Sequence, residues 1–160
     1  MTFANRPSHW LDQEQFQKIV ASTPLISLDL IVRNSLGQVL LGLRLNRPAQ
    51  DFWFVPGGRV RKDESLDDAF LRLAHEELGI AFTRANATFL GPYEHFYTDN
   101  FSGDSFSTHY IVLGYELVCE DLQHALPVSQ HERYRWFDVS ELINDPKVHQ
   151  YSKNYFIGRM

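Results

Sequence analysis

Two adjacent carboxylates, Glu76 and Glu77, lie at the end of a predicted helix that follows the pair Gly57-Gly58. Carboxylates are unfavourable at a helix C-terminus because the helix dipole is already negative there. A divalent cation would remove that conflict, and carboxylate oxygens together with a backbone carbonyl suit Mg²⁺. A glycine pair lets the backbone approach a ligand closely and direct such a carbonyl at it. The residue types therefore predict a metal site where the glycines meet the helix end, with a solvent-exposed glutamate pair as the alternative.

The spacing of the residues around this corner is specific. Gly58 is followed after five residues by Glu64, and after seven more by the run Arg72-Leu73-Ala74-His75-Glu76-Glu77-Leu78-Gly79-Ile80. This segment, 58–80, resembles the Nudix box, G-x5-E-x7-R-E-U-x-E-E-x-G-U, in which U is an aliphatic residue. The resemblance implies the Nudix fold, an α+β fold in which a mixed β-sheet is sandwiched between helices (α/β/α). It also implies a hydrolase that depends on a divalent metal and acts on a nucleoside diphosphate linked to another group.

One position departs from the box, because Leu73 stands where the box has its first Glu. Leu73 precedes Glu77 by one helical turn. In an ordinary box, carboxylates at both positions could share metals, whereas here only Glu77 is left. We therefore expect a single cation and the loss of one candidate base for attack at phosphorus. Glu64 is expected to orient Arg72 through an ion pair rather than to bind metal. The domain is then either catalytically inactive or has moved its chemistry elsewhere.

Short segments outside the box carry a second and more specific pattern. They are Ser22-Thr23-Pro24-Leu25, Ser27-Leu28-Asp29, Asn46-Arg47-Pro48-Ala49-Gln50, Trp53-Phe54-Val55-Pro56-Gly57-Gly58-Arg59-Val60, Asp99-Asn100-Phe101-Ser102-Gly103, Thr108-His109-Tyr110 and Gln130-His131. Together they resemble the GDP-mannose mannosyl hydrolase subfamily over about residues 10–156, and that subfamily also lacks the first Glu of the box. The resemblance implies hydrolysis of GDP-mannose, and of related GDP-hexoses, to GDP and free sugar. Water would attack the anomeric carbon with inversion.

The same resemblance implies how a cation and a water molecule are held. The metal ligands would be the Gly57 carbonyl, Glu77 and Gln130, holding one Mg²⁺ per subunit, with Mn²⁺ able to substitute. His131 would be the general base that activates water, and a histidine suits this role because its ordinary pKa is about 6.5. Glu76 is an alanine in relatives of this subfamily, so its presence leaves open a second metal ligand or a change in local charge.

Four further residues are implied to surround the reacting bond. Arg44 and Arg59 would contact the departing diphosphate, since an arginine can bind a phosphate through two parallel hydrogen bonds. Asp29 and Tyr110 would lie around the sugar or the leaving group. These four residues, with His131, form the predicted catalytic set.

For five further residues, the sequence allows either a role in the site or a structural role. Trp10, Leu11 and Phe16, at the start of the first predicted helix, would contact the nucleotide end of the substrate, or would pack in the core instead. His95 and His109 flank a long predicted loop, where either could line the pocket or have a structural role.

Three functions follow from these residues and stay open at the level of the sequence. A diphosphate held by Mg²⁺ and arginine is a good leaving group, so attack at carbon needs only a base and no general acid. Hydrolysis of a GDP-hexose at its sugar is therefore the leading interpretation. The alternatives are an ordinary Nudix pyrophosphohydrolase that yields GMP and sugar phosphate, and a non-catalytic nucleotide-sugar sensor.

Patterns of apolar and capping residues predict the elements that position these groups. Asp12 and Gln15 predict a helix start, and Pro24 ends that helix; Ser65–Leu78 predicts a second helix closed by Gly79. Strands are predicted over 25–32, 39–45, 52–55, 88–97, 109–118 and 133–137, with the first two as a hairpin and the third closed by a turn at 56–58. Short helices are predicted near 139–143 and 146–156, and a long mobile loop, suited to act as a lid, over 98–107.

Length and composition limit the class of protein. The chain has 160 residues, of which 44% are hydrophobic, so we predict a single globular domain over 1–160 with a flexible leader over 1–9. Its net charge of −5 argues against nucleic acid as a partner. The absence of a signal sequence or a long apolar run predicts a cytoplasmic protein that does not bind membranes. Cys119 is the single cysteine, which excludes an intramolecular disulfide. The subfamily resemblance suggests a homodimer.

Overall fold

The computed structural model describes residues 11–120, Leu122 and 131–158, and for residues 131–133 it describes the backbone alone. The strands are β1 Leu25–Arg33, β2 Val39–Arg44, β3 Trp53–Phe54, β4 Gly57–Arg59, β5 Thr88–Tyr97, β6 Thr108–Val118 and β7 His131–Phe137. The helices are α1 Gln13–Ser22, α2 Leu66–Leu78, α3 Val139–Asn144 and α4 Gln150–Lys153, with a short 3-10 turn at Arg84–Asn86. Within the described residues, no helix is both long and apolar enough to cross a bilayer. The predicted leader lies outside them.

Helices α1 and α2 begin and end close to the residues that the sequence predicts, whereas α4 covers Gln150–Lys153 and not the whole predicted span of 146–156. Asp12 precedes α1, and its carboxylate accepts a hydrogen bond from the backbone N–H of Gln15 at 2.8 Å. Ser65 precedes α2 in the same way, and Gly79 ends this helix in the left-handed conformation, with φ of 68°. Both N-terminal side chains satisfy a backbone donor that the helix itself leaves unpaired. Capping residues are local signals, which explains why these predictions are confirmed.

The strands form one mixed sheet in the order β3-β2-β1-β6-β5, with β4 also pairing with β1 and β7 with β2. Strands β1 and β6 run parallel along their whole length, whereas the other pairs are antiparallel. The predicted hairpin of β1 and β2 is confirmed, but the two strands pair only at Arg33 and Val39. Beyond that point β2 turns away from β1, and the freed edge of β1 is taken by β4. The predicted turn at 56–58 is therefore wrong in part, because Gly57 and Gly58 begin a strand of their own.

Alternation along β1 divides the interior into two layers. Leu28, Leu30 and Val32 face α2 and form one apolar core with its buried side chains, including Phe70. The next residues in the alternation point to the other face, where Ile31 packs with the C-terminal helices in a second core. The sheet thus lies between helices on both sides, which confirms the predicted α+β sandwich.

The loop between β5 and β6, residues 98–107, is organised around one buried side chain. Asn100 is fully buried, and its amide donates to the carbonyl of Phe106 at 2.7 Å and accepts from the N–H of Ser102 at 2.8 Å. Arg47, from the loop after β2, forms ion pairs with Asp99 and Asp104. These contacts give the loop a defined internal framework, and its movement as a lid stays a prediction.

Candidate functional site

A cleft of about 220 Å³ opens where β2 turns away from β1. Five residues predicted as site residues line it together, although they come from four different strands: Asp29, Arg44, Gly57, Arg59 and Tyr110. The parallel pairing of β1 with β6 and the antiparallel pairing of β1 with β4 bring three of these strands side by side. The sequence prediction that these residues share one site is consistent with this cleft.

The close approach of β1 and β4 explains the glycine at position 57. Gly57 is opposite Asp29, and a Cβ atom at position 57 would lie 2.3 Å from the carbonyl oxygen of Leu28 and 2.8 Å from Asp29 Oδ1. No side chain fits there. The N–H of Leu30 donates to the carbonyl of Pro56 at 2.8 Å, one step further along the ladder, so the pair of Asp29 and Gly57 is a non-hydrogen-bonded pair. The N–H and carbonyl of Gly57 therefore face away from β1 and are free of this strand.

Asp29 is a buried carboxyl that lines the cleft. It is only 6% exposed, and the hydroxyl of Tyr155 donates to its Oδ2 at 2.6 Å. Burial raises the pKa of Asp29 from 3.8 to about 7, although the Tyr155 hydrogen bond and the charge of Arg44 both lower it. A carboxyl poised in this way can accept or release a proton near neutral pH.

Two arginines line the cleft, from the ends of two different strands. Arg44, at the end of β2, donates from Nε to the Pro48 carbonyl at 3.1 Å, which directs its guanidinium. Arg59, at the end of β4, stacks over the ring of Phe16 at 4.4 Å, and burial lowers its pKa from 12.5. Both groups remain charged at neutral pH, since an arginine is effectively always protonated. They make the cleft attractive to a di-anionic group such as a diphosphate.

Part of the lining of the cleft is aromatic. His95 is opposite Tyr110 in the β5–β6 ladder, stacks on Tyr151 with ring centroids 4.2 Å apart, and lines the cleft with Tyr97. Burial, with the nearby His149, lowers the pKa of His95 to about 4. Burial also raises the pKa of Tyr110. These side chains are neutral at pH 7, so they can donate and accept hydrogen bonds without adding charge.

The corner between β4 and α2 offers oxygen ligands for a cation. Glu77 is 2% exposed, and burial raises its pKa from 4.5 to about 7, with a smaller contribution from Glu76; Arg44 and Arg72 oppose this shift. A buried carboxyl with so costly a charge is stabilised by a bound cation. Together with the Gly57 carbonyl, it would form a hard oxygen donor set that suits Mg²⁺ or Mn²⁺.

The described residues contain no cluster of three or more His, Cys, Asp or Glu side chains that could enclose a metal. A cation here would take its remaining ligands from backbone, amide, water or substrate oxygens, as Mg²⁺ commonly does. The residues present therefore fit a single, open cation site rather than a closed cage of side chains.

Leu73 occupies the place of the missing box carboxylate with an apolar contact. It is buried in the core below the sheet, and its Cδ2 would lie 2.4 Å from a Cβ atom at Gly58. The leucine methyl group thus fills the space above the glycine. Because this part of the corner is apolar, it offers no ligand to a second cation.

Arg72 connects α2 to the chain that leads into it. Its guanidinium donates to Glu64 at 2.6 and 2.9 Å, to Glu76 at 3.0 Å and to the carbonyl of Arg59 at 2.9 Å. The predicted orientation of Arg72 by Glu64 is confirmed as an ion pair. Glu76 is 44% exposed and also approaches Arg61 at 3.6 Å, so arginines account for its charge. The initial pairing of Glu76 with Glu77 as joint metal ligands is not favoured by this arrangement.

Leu11 and Phe16, two of the residues predicted to contact the nucleotide, lie beside the cleft rather than in it. Leu11 lines a second hollow of about 380 Å³ between α1 and β1, and Arg59 borders both hollows. Phe16 lies under Arg59 and contacts Phe101 of the β5–β6 loop, with ring centroids 4.7 Å apart. Trp10 lies outside the described residues.

The predicted base and the third metal ligand fall at the start of β7. Gln130 and the side chain of His131 lie outside the described residues. The backbone of His131 pairs with Arg44, and two residues of β7 face one residue of β2 just beyond, which is a β-bulge. Bulges of this kind commonly re-aim side chains next to active sites.

Several lining residues have no role in the sequence prediction. Phe54, Val55, Pro48 and Tyr97 line the cleft, and Tyr155 bonds to Asp29. Their apolar or aromatic character signals only burial, so the sequence offers no way to separate them from core residues. Of the two histidines with two interpretations, His95 lines the cleft, whereas His109 stacks on Phe96 at 4.4 Å.

Comparison with known proteins agrees with this architecture. A model of the NUDIX domain matches residues 23–157. The chain is 38% identical over 148 residues, 92% of each chain, to "Low-salt glycan biosynthesis protein Agl8" of Haloferax volcanii. Its fold is similar to a MutT NUDIX hydrolase of Burkholderia pseudomallei, with a TM-score of 0.66, 24% identity and coverage of 84% and 96% of the two chains.

A second solved structure shares the fold at lower identity. It is the NUDIX domain of Shewanella oneidensis NrtR complexed with ADP ribose, with a TM-score of 0.62, 17% identity and coverage of 91% and 96% of the two chains. The match of the domain model to most of the chain, the long match to one relative and the shared fold lead to one conclusion. The chain belongs to the NUDIX family.

Proposed function

We propose that this protein hydrolyses GDP-mannose, and related GDP-hexoses, to GDP and free sugar by attack of water at the anomeric carbon with inversion. The observation that carries the proposal is the contrast between two neighbouring regions. The metal corner has an apolar Leu73 in place of a carboxylate, whereas the cleft beside it contains two arginines and a buried carboxyl. Such a site can bind a diphosphate as a leaving group but has few groups to activate water at phosphorus.

In this proposal the chain's own residues have distinct tasks. Arg44 and Arg59 bind the diphosphate and stabilise the negative charge that grows on the bridging oxygen as its bond to the sugar breaks. Tyr110 and Asp29 contact the sugar and the bridging oxygen. The neutral aromatic wall with His95 excludes water from the leaving-group side. When bound at Gly57 and Glu77, with Gln130 as the third proposed ligand, one Mg²⁺ supplies further stabilisation of the departing diphosphate.

His131 is the proposed general base. A nitrogen of its imidazole takes a proton from water as the oxygen of that water bonds to the anomeric carbon, and the electron pair of the broken bond leaves with GDP. Support comes from the backbone alone, since His131 is paired with Arg44 next to a β-bulge. Positioned proton transfer contributes about 10²- to 10⁴-fold to rate. We therefore expect His131→Gln to lower kcat by about that factor with KM little changed, and the exposed His75→Gln to change neither.

Hydrolysis in ¹⁸O-labelled water tests the proposal directly. With GDP-mannose and Mg²⁺, attack at carbon places the label in mannose, whereas attack at phosphorus places it in a phosphate product. Proton NMR of the first-formed sugar shows whether its anomeric configuration is opposite to that of the substrate. Label in phosphate, with GMP and sugar phosphate as products, would instead support an ordinary pyrophosphohydrolase.

The name of one relative is compatible with a sugar substrate. The relative from Haloferax volcanii is described as a protein of low-salt glycan biosynthesis, and it matches nearly the whole chain. Nucleotide sugars are the donors from which glycans are built, so a Nudix hydrolase in such a setting fits the proposed substrate class. A non-catalytic sensor remains the alternative from another class, and metal-dependent turnover of GDP-mannose would contradict it.

The homodimer suggested by the subfamily resemblance stays a prediction, which analytical ultracentrifugation tests.

A further inference from the structure

The segment from His149 to Tyr155, here called the C-terminal brace, hydrogen-bonds three walls of the cleft. Tyr151 accepts from the N–H of Phe96 at 2.8 Å and donates to its carbonyl at 2.7 Å, which ties the brace to β5. Ser152, fully buried, accepts from the N–H of Val55 at 3.0 Å, just before β4. The third contact, from Tyr155, reaches a side chain of the catalytic set rather than the backbone.

The hydroxyl of Tyr155 meets Asp29 at a fixed point. Both side chains are buried, with Tyr155 only 1% exposed, and the Oη–Oδ2 distance is 2.6 Å. The tyrosine ring packs against Tyr93, with centroids 4.5 Å apart, and lies over Gly114, where a Cβ atom would be 2.8 Å from Cε1. Because the ring is enclosed on two sides, its hydroxyl has little freedom to move.

This contact determines how the carboxyl is presented to the cleft. Tyr155 engages Oδ2, and Oδ1 is the oxygen directed toward Gly57, 2.8 Å from where a Cβ would stand. The hydrogen bond at Oδ2 restricts rotation of the carboxyl about its Cβ–Cγ bond. Oδ1 of Asp29 is therefore directed toward β4, whose residues Gly57 and Arg59 line the cleft.

We propose that Tyr155 is a positioning residue, whose hydroxyl holds the Asp29 carboxyl so that Oδ1 meets the sugar or the leaving oxygen of the bound substrate. The inference rests on the proposed function for the identity of that substrate. It assigns a role in catalysis to the C-terminal brace, which contributes no residue to the predicted catalytic set.

Removal of one hydroxyl tests this role. Tyr155→Phe should lower kcat for GDP-mannose about 10- to 100-fold, since small misplacements of catalytic groups have effects of this size, and should leave KM within about threefold. The matched control is Tyr115→Phe, a buried tyrosine on the opposite face of the sheet whose hydroxyl accepts from Arg84 at 3.3 Å. We expect this control to retain wild-type kcat and KM. Thermal unfolding of each variant measures any loss of stability.

A double-mutant cycle separates positioning from a purely structural role. In the background of Asp29→Ala, Tyr155→Phe should change kcat by less than about twofold, because the group through which it acts is gone. A second variant, Gly114→Ala, displaces the same ring from another side and should lower kcat in the same way, again only when Asp29 is present.

Each outcome bears on one of the two proposals. A wild-type protein without turnover of GDP-mannose would refute the proposed function, and with it the role of Tyr155 in that reaction. An active wild type with an unchanged Tyr155→Phe variant would refute the positioning role alone. An equal fall in kcat in the presence and absence of Asp29 would show that the hydroxyl supports the fold instead.

Discussion

The buried carboxyl of Glu77 should make cation binding depend on pH. Burial raises the pKa of this carboxyl to about 7, and a cation binds only its ionised form, so binding must displace a proton as pH falls. With a pKa of about 7, about a tenth of the carboxyl is ionised at pH 6 and about nine-tenths at pH 8. The apparent Kd for Mg²⁺ should therefore be about tenfold weaker at pH 6 than at pH 8.

The same shift predicts a change in stability with a definite sign. The pKa of Glu77 is higher in the folded protein than its ordinary value of 4.5, so its carboxyl favours the folded state most below pH 4.5. As pH rises from there to about 7, the metal-free protein loses about 1.4 kcal/mol per pH unit from this group. Mg²⁺ offsets that loss, so the rise in Tm on adding Mg²⁺ should be larger at pH 8 than at pH 6.

Isothermal titration calorimetry with Mg²⁺ at pH 6, 7 and 8, together with thermal unfolding, measures both effects. Glu77→Gln should weaken binding and remove most of its pH dependence, because the amide does not titrate. Asp29 also has its pKa raised to about 7, so Asp29→Asn is the matched control and should retain the dependence. Equal Mg²⁺ affinity at pH 6 and pH 8 in the wild-type protein would refute the assignment of Glu77 as the ligand.

Two substitutions at the corner test its packing. Leu73→Glu restores the box carboxylate but directs it against Gly58 in the apolar core, and we expect the free energy of unfolding in urea to fall by at least about 2 kcal/mol. A variant as stable as wild type that binds two cations would contradict this account. Gly57→Ala brings a Cβ within 2.3 Å of a carbonyl oxygen of β1 and must move β4, so kcat/KM should fall about 100-fold. Unchanged kinetics would mean that β4 can shift without disturbing the cleft.

The parts of the fold that depend on local signals could be predicted from the sequence. Asp12, Ser65 and Gly79 mark helix ends through contacts with residues three or four positions away. Strand positions follow similarly from apolar runs between turn residues. The strand β4 could not be predicted, because it forms only where β1 has an edge that β2 has left.

The same distinction between local signals and contacts that depend on the fold applies to the candidate site. Residue types and spacing point to Glu77 and the glycines, and the family resemblance adds Asp29 and the two arginines, which the cleft brings together. The bond from Tyr155 to Asp29 spans 126 positions in sequence. Nothing in the composition of the C-terminal segment distinguishes that tyrosine from others in the core. Such a pair depends on the packing of α4 on the sheet, which no local pattern encodes.

The alternation along β1 makes this strand intolerant of changes in length. Leu28 and Leu30 face α2 while Asp29, between them, faces the cleft. A single residue inserted before position 28 would exchange these faces. The carboxyl would then point into the apolar core and a leucine into the cleft. Insertions and deletions among homologues of this protein should therefore occur in the loops around residues 46–52 and 98–107. Substrate preference can change there while the register of the central strand stays the same.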